Sequence, residues 1–270
     1  MVFGLACQLF TFAFATPLYA GLQLASSITA SRPNAQNIRV PRAVLKAIPM
    51  IFFIGYMVPS MLLIIPAPEM ISIDLKQIFI AVWQPWPAYV SILTTAVHIL
   101  FSSFTKNDTS IEGGRATLKS LRRVYAFAFG NAALAHIILH TISIATVAAP
   151  MLFQESFAKA LHPCKVFATA LPWVPLKVDN IADGVHIFLR WDYLIGSTGV
   201  LLWAMTLHVN AHKAILGSMS WCDLLTKVGL LTVVSGPVGA AVELMWERDE
   251  LVIHETGGLK QRVGQEKKSS

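Results

Sequence analysis

The stretch Phe188-Leu-Arg-Trp-Asp-Tyr-Leu-Ile-Gly-Ser197 sets an acid and a base, Asp192 and Arg190, on either side of Trp191 at the mouth of an apolar run. An ionisable group at membrane depth costs roughly 2.5–3.5 kcal/mol on insertion scales, so such groups are usually paired, hydrated or functional. A carboxyl group in an apolar pocket can hold a proton and deliver it near neutral pH. Aromatic faces stabilise cations through their quadrupole. Acid and aromatics together suit proton-initiated carbocation chemistry on an isoprenoid. The carboxylates that meet this description are Asp192, Glu243 and Glu69, with Glu247 beside them. The aromatic partners are Trp83, Trp86, Trp191, Tyr193 and Trp246. The alternative for Asp192 is a local salt bridge with Arg190.

The histidines form a second constellation. His136 and His140 are four residues apart, and His208 and His212 repeat that spacing, so each pair shares a helix face. Paired HxxxH elements could hold a di-iron centre or a haem. No HxxHH box accompanies them, and they read as interhelical hydrogen-bonding groups like His98 and Asn131. The chain has no DDxxD or NSE-like box for magnesium and no P-loop, GxSxG or HExxH. No metal and no cofactor is expected. Cys7, Cys164 and Cys222 are far apart and form neither a disulfide framework nor a zinc knuckle.

The elements that must position these residues are apolar. Of 270 residues, 55% are hydrophobic and 13% charged, against about 25% charged in a soluble domain. The expected fold is all-α, a polytopic transmembrane helical bundle of about six spans, with a seventh if the 150–190 loop hides one. A span needs about 20 apolar residues. The candidate runs are Val2–Ser27, Val44–Ile65, Ile78–Phe104, Val124–Ala149, Trp191–Val209 and Leu224–Met245. Residues 1–247 would form the bundle and residues 248–270 a polar tail. The net charge of +6 is spread over loops between apolar runs, which argues against nucleic acid and for the bilayer as partner.

Arg32, Arg39 and Arg42 in one loop, and Lys106, Arg115, Lys119, Arg122 and Arg123 in another, mark one face as cytosolic by the positive-inside rule. A sequon at Asn107 tests this orientation. Counting six straight spans places Glu69, Asp192, Glu243 and Glu247, with Trp83, Trp86, Trp191 and Trp246, on the opposite face. The same count strands the basic tail (Arg248, Lys260, Arg262, Lys267, Lys268) on the wrong side. Gly196, Gly199 and the Gly236–Ala241 stretch would pack the helix bearing Asp192 against the helix bearing Glu243.

The elements WQPWP (83–87), FLRWDYLIGS (188–197) and GPVGAAVELMWERDE (236–250) resemble those of fungal integral-membrane terpene cyclases of meroterpenoid biosynthesis, of the ascochlorin, ascofuranone and macrophorin type. The resemblance implies metal-independent cyclisation of a prenylated aromatic, or of its terminal epoxide, begun by protonation. It implies a lipophilic prenylated substrate, an endoplasmic-reticulum membrane and other membrane enzymes of the pathway as partners. Two membrane-facing acids are implied, carried to Asp192 with either Glu69 or Glu243. It also implies that a helix is missing before Met1. The rival readings are a non-catalytic membrane scaffold or carrier, and a histidine-metal oxidase or hydroxylase.

Overall fold

A computed structural model describes residues 1–102, 111–171, 173–174, 178 and 180–269. The described residues are helical or irregular, with no strand among them. The sequon at Asn107 lies outside them, as do the side chains of Lys106, Arg115 and the lysines of the tail.

The chain begins with α1 (Val2–Phe10), α2 (Phe12–Ser26) and the single turn α3 (Ile28–Ser31). Next come α4 (Arg42–Phe52), a π-helical turn (Phe53–Met57) and α5 (Val58–Ile64), which continue one another. Helices α6 (Ile73–Trp83) and α7 (Trp86–Ser102) are joined at Gln84-Pro85. The long α8 (Ile111–Ala148) leads into short turns, α9 (Glu155–Ala160) and α10 (Pro163–Val166). The chain closes with α11 (Ile181–Leu216) and α12 (Trp221–Ser269). Among the described residues four stretches are long and apolar enough to cross a membrane: Arg42–Ile64, Thr117–Ala148, Ile181–Leu216 and Trp221–Glu255. Their outward faces are apolar, with Ile64 78% and Val233 77% exposed. Among the described residues between Pro150 and Asn180 the longest helix has six residues, too short for a seventh span.

Two apolar runs that read as single spans fold back on themselves. The first reverses at Thr11, whose φ of 80° is rare for a β-branched residue. Across the bend Cys7 Sγ meets Thr16 Oγ1 at 3.9 Å, and the Phe3 and Tyr19 ring centroids are 4.9 Å apart. The last run reverses at Gly236 (φ 70°, ψ 173°), which is followed by Pro237. Lys227 Nζ reaches Glu247 Oε1 at 2.7 Å. A straight helix would hold residues twenty apart about 30 Å from each other. The arms, 221–235 and 237 onward, therefore form a helical hairpin whose inner face shares one core with α11: Ala204, Val209, Leu224, Ala241 and Leu244. Proline suits the first position of the returning arm, where no N–H is required.

Helix α11 is the pillar against which both hairpins rest. Asn180 caps it, accepting Asp183 N–H, and Gly217 ends it in the left-handed region at φ 79°. Helix α2 runs alongside it in one direction. Pro17 lies against Gly199, Trp203 Nε1 donates to Gln23 Oε1 at 2.9 Å, and Asn210 donates to the Ala30 carbonyl. The returning arm of α12 also runs with α11, from Gly236 beside Tyr193 to Leu244 beside His208. Neighbouring elements close a circuit in the order α11, α2, α1, α7, α4, α8, α12 and back to α11.

Candidate functional site

Both hairpin tips meet α11 at consecutive residues. Asp192 Oδ1 accepts the backbone N–H of Ala13, in the first turn of α2, at 2.7 Å. The first N–H groups of a helix have no partner within it, so a side-chain oxygen there caps the helix. Among the described residues the other Asp192 oxygen makes no hydrogen bond. Tyr193 faces the second tip: a Cβ on Gly236 would fall 3.5 Å from its hydroxyl and 3.0 Å from His136 Nδ1. Phe12, the first residue of α2, sits one turn away on Gly196, where a Cβ would come within 2.1 Å of its ring. Only glycine admits that ring.

His136 belongs to the same junction. Pro237 lacks an N–H, so the carbonyl four residues earlier, Val233, loses its helical donor. His136 Nδ1 stands at this break, 3.0 Å from where a Cβ on Gly236 would lie. His140 packs on His136 with ring centroids 4.0 Å apart, and its Nδ1 lies 2.8 Å from the His136 carbonyl. On its other side His140 stacks on Phe167 at 4.5 Å. Trp191 Nε1 donates to the Ala170 carbonyl at 2.9 Å, and Arg190 donates to the Ala168 carbonyl. The junction thus gathers an acid, a phenol, an imidazole and the ring of Phe12, while Trp191 is held by the loop before α11.

At the far end of α12's returning arm lies a separate polar lattice. Arg248 and Asp249 are buried and paired at 2.8 Å, although the sequence reading puts them at the start of the tail. Tyr125 donates to Asp249 Oδ2 at 2.6 Å, and Arg248 donates to the Thr29 carbonyl at 2.5 Å. Arg122 grips Glu250 with two bonds, of 2.6 and 3.0 Å. Trp246 donates to Glu250 at 2.6 Å and stacks on Tyr125. His208, 1% exposed, hydrogen-bonds the Leu244 carbonyl at 3.1 Å and stands 3.9 Å from Glu247. Among the described residues no three His, Cys, Asp or Glu side chains come together as metal ligands.

An apolar cavity of about 360 Å³ opens elsewhere, between the π turn and α7, lined by Ile54, Gly55, Pro59, Tyr89, Ile92 and Leu93. It holds no acid. Beside it Trp86 packs on Tyr56 at 4.8 Å and on Phe52 at 6.5 Å. Trp83 donates to Ser60 Oγ at 2.9 Å. These two tryptophans flank the cavity rather than the Asp192 junction.

The family model of the CtvD domain matches residues 1–253. The chain belongs to the CtvD domain family. Within this family it is similar to the terpene cyclase ctvD of Aspergillus terreus, 30% identical over 92% of the chain and 67% of that protein. It is 30% identical to the terpene cyclase penA of Penicillium crustosum over 74% of the chain and 52% of that protein. It is 27% identical to the terpene cyclase ascI of Acremonium egyptiacum over 93% of the chain and 62% of that protein. The chain therefore spans between half and two thirds of the length of these curated relatives. No solved structure matches it.

In this CtvD-family chain the structure disperses the acids that parity gathers. Glu243 lies next to Leu244, whose carbonyl meets His208, and seven residues, about 10 Å of helix, beyond the break at Gly236. Glu247 and Trp246 lie at that same end. The cause is the reversal at Gly236, which a count of straight spans misses. Glu69 is exposed in the turn that follows α5. Arg190 donates to the Ala168 carbonyl, and among the described residues it forms no salt bridge with Asp192. Asp192 is not at a helix mouth either, since α11 starts eleven residues earlier. Gly196 and Gly199 receive Phe12 and Pro17 of α2, whereas Gly239 faces Ala132 of α8. Sequence reasoning missed Ala13, Phe12, Arg248, Asp249, Tyr125 and Arg122. An Arg-Asp pair directly after an apolar run was the available signal for the lattice. Nothing local pointed to Ala13.

Proposed function

We propose that the chain carries a membrane-bound terpene cyclase activity of fungal meroterpenoid biosynthesis, with Asp192 as the group that protonates the substrate. The observation that carries the reading is the position of Asp192 at the meeting of the two hairpin tips. One oxygen is held by Ala13 and the other is free of hydrogen bonds among the described residues. Fixing one oxygen aims the other, and a positioned acid is worth about 10²–10⁴ in rate. The relatives' names give the reaction class, and Phe12, Trp191 and Tyr193 supply aromatic surface for a developing cation.

The step balances without metal. Asp192 donates its proton to a terminal alkene carbon or an epoxide oxygen of a prenylated substrate. The cation formed is attacked by the next double bond, and loss of a proton from the cyclised cation restores the proton count. The product is an isomer of the substrate. Glu243 stands about two turns of α12 beyond the break at Gly236, and Glu69 is exposed in its turn, so in this reading the step falls to Asp192 alone. Trp83 and Trp86, beside the apolar cavity, would hold part of the isoprenoid chain. Trp246 is stacked on Tyr125 and serves the lattice instead.

In this reading α4–α5, α6–α7, α8 and α11 cross the endoplasmic-reticulum membrane, and the two hairpins enter from the basic face and return to it. The basic tail then emerges on the same side as Arg32, Arg39, Arg42, Arg122 and Arg123, as the positive-inside rule requires. Cysteines placed at Asn34 and Glu255 should react with a membrane-impermeant maleimide from one side, and a cysteine at Glu69 from the other. Labelling of Glu255→Cys and Glu69→Cys from the same side would refute this topology. The activity is tested by expressing the chain in a fungal host that lacks the pathway and supplying farnesylated phenol epoxides. A product of unchanged mass and shifted retention supports the cyclase. Unchanged substrate, with the chain shown to be folded in the membrane, speaks against it.

A further inference from the structure

We propose that the junction of the hairpin tips also binds the oxygenated end of an otherwise apolar substrate, with the Tyr193 hydroxyl and the His136 imidazole as its hydrogen-bonding groups. The substrate class rests on the cyclase reading, whereas the site rests on geometry. Gly236 and Pro237 interrupt α12 in the middle of an apolar run, and Gly236 is buried at the break. Irregular backbone at membrane depth is tolerated where it is enclosed by protein or lines a cavity. Two polar side chains converge on this break from different helices, His136 from α8 and Tyr193 from α11. A Cβ built on Gly236 would lie 3.0 Å from His136 Nδ1 and 3.5 Å from the Tyr193 hydroxyl, so both polar atoms stand close against the glycine backbone.

The His136 ring is backed by His140, which Phe167 holds in turn. The Tyr193 hydroxyl makes no hydrogen bond among the described residues, and its side chain is 48% exposed. Where no water is at hand, an unpaired hydroxyl has a large penalty that a ligand oxygen would remove. Such a ligand needs one polar end and an apolar remainder, because the outward faces of α11 and of the first arm of α12 on either side are apolar, with Leu194 40% and Val233 77% exposed. An isoprenoid alcohol has that form.

The test is saturation binding of tritiated farnesol to the full chain in lipid nanodiscs, with competition by unlabelled farnesol or by farnesene. Wild type should prefer farnesol about tenfold, the usual size of one well-placed hydrogen bond. Tyr193→Phe should reduce the preference to threefold or less while farnesene competes as before, which also shows that the variant is folded. His136→Phe should act in the same direction. Equal competition by both ligands in wild type, or a tenfold preference kept by Tyr193→Phe, overturns the site. A preference that Tyr193→Phe removes supports the site even if no substrate is ever cyclised. A cyclase whose binding preference ignores Tyr193 sinks the site and leaves the proposed activity standing.

Discussion

The Asp192 carboxylate caps a helix that lies 179 residues earlier in the chain, accepting the Ala13 N–H at 2.7 Å. Tyr193, the next residue, touches the break in α12 at Gly236. One peptide unit of α11 therefore sets the level of both hairpin tips. The acid proposed for the activity and the contact that holds the first hairpin are the same side chain.

The hairpin in α12 predicts a cross-link. Lys227→Cys together with Glu247→Cys should be joined within one chain by a short bismaleimide linker, seen as a linked peptide by mass spectrometry. A continuous helix would separate the two positions by about 30 Å and forbid the link.

Glycine substitutions should split by sign. Gly236→Ala meets an unfavourable φ of 70° and a contact of 3.0 Å with His136 Nδ1, and should destabilise by about 1–3 kcal/mol. Gly130→Ala, in the middle of α8 with nothing within 4 Å of the added methyl, should be neutral or stabilising by up to about 1 kcal/mol. Thermal unfolding in detergent distinguishes the two. Equal melting temperatures would show that the break at Gly236 is not a fixed feature.

The lattice at the other end predicts an asymmetry. Arg248→Met leaves Asp249 buried without its cation and should cost about 3–5 kcal/mol. Tyr125→Phe removes one hydrogen bond, leaves Arg248 in place, and should cost about 1–3 kcal/mol. Chemical denaturation of the purified protein measures both. A smaller loss from Arg248→Met than from Tyr125→Phe would mean that the pair does not hold α12 against α8 and α3.

Much of this was legible in the sequence. Composition and run length fix the helical class, and the family resemblance agrees with the CtvD match. Asp192 stands out because an acid inside an apolar run needs an explanation. The reversals were not legible, because hydrophobic periodicity reports which face is apolar and not which way the axis points. Pro237 after Gly236 reads as a kink within one span, and Thr11 carries no turn signal at all. Parity then multiplied the error: one uncounted reversal moved Glu243, Trp246 and Glu247 to the opposite end and put the tail on the wrong side. Contacts such as Tyr125 with Asp249, 124 residues apart, follow from that same reversal and have no local trace.

The central claim is that Asp192 supplies the proton, and an isosteric change separates chemistry from architecture. Asparagine can still accept the Ala13 N–H and cap α2, whereas alanine cannot. In the reconstituted system, Asp192→Asn should melt within about 1 kcal/mol of wild type and lose cyclisation by 10²-fold or more, with linear substrate accumulating. Asp192→Ala should lose both stability and product. Cyclisation at the wild-type rate by a folded Asp192→Asn protein would contradict the account, leaving Asp192 as a cap alone.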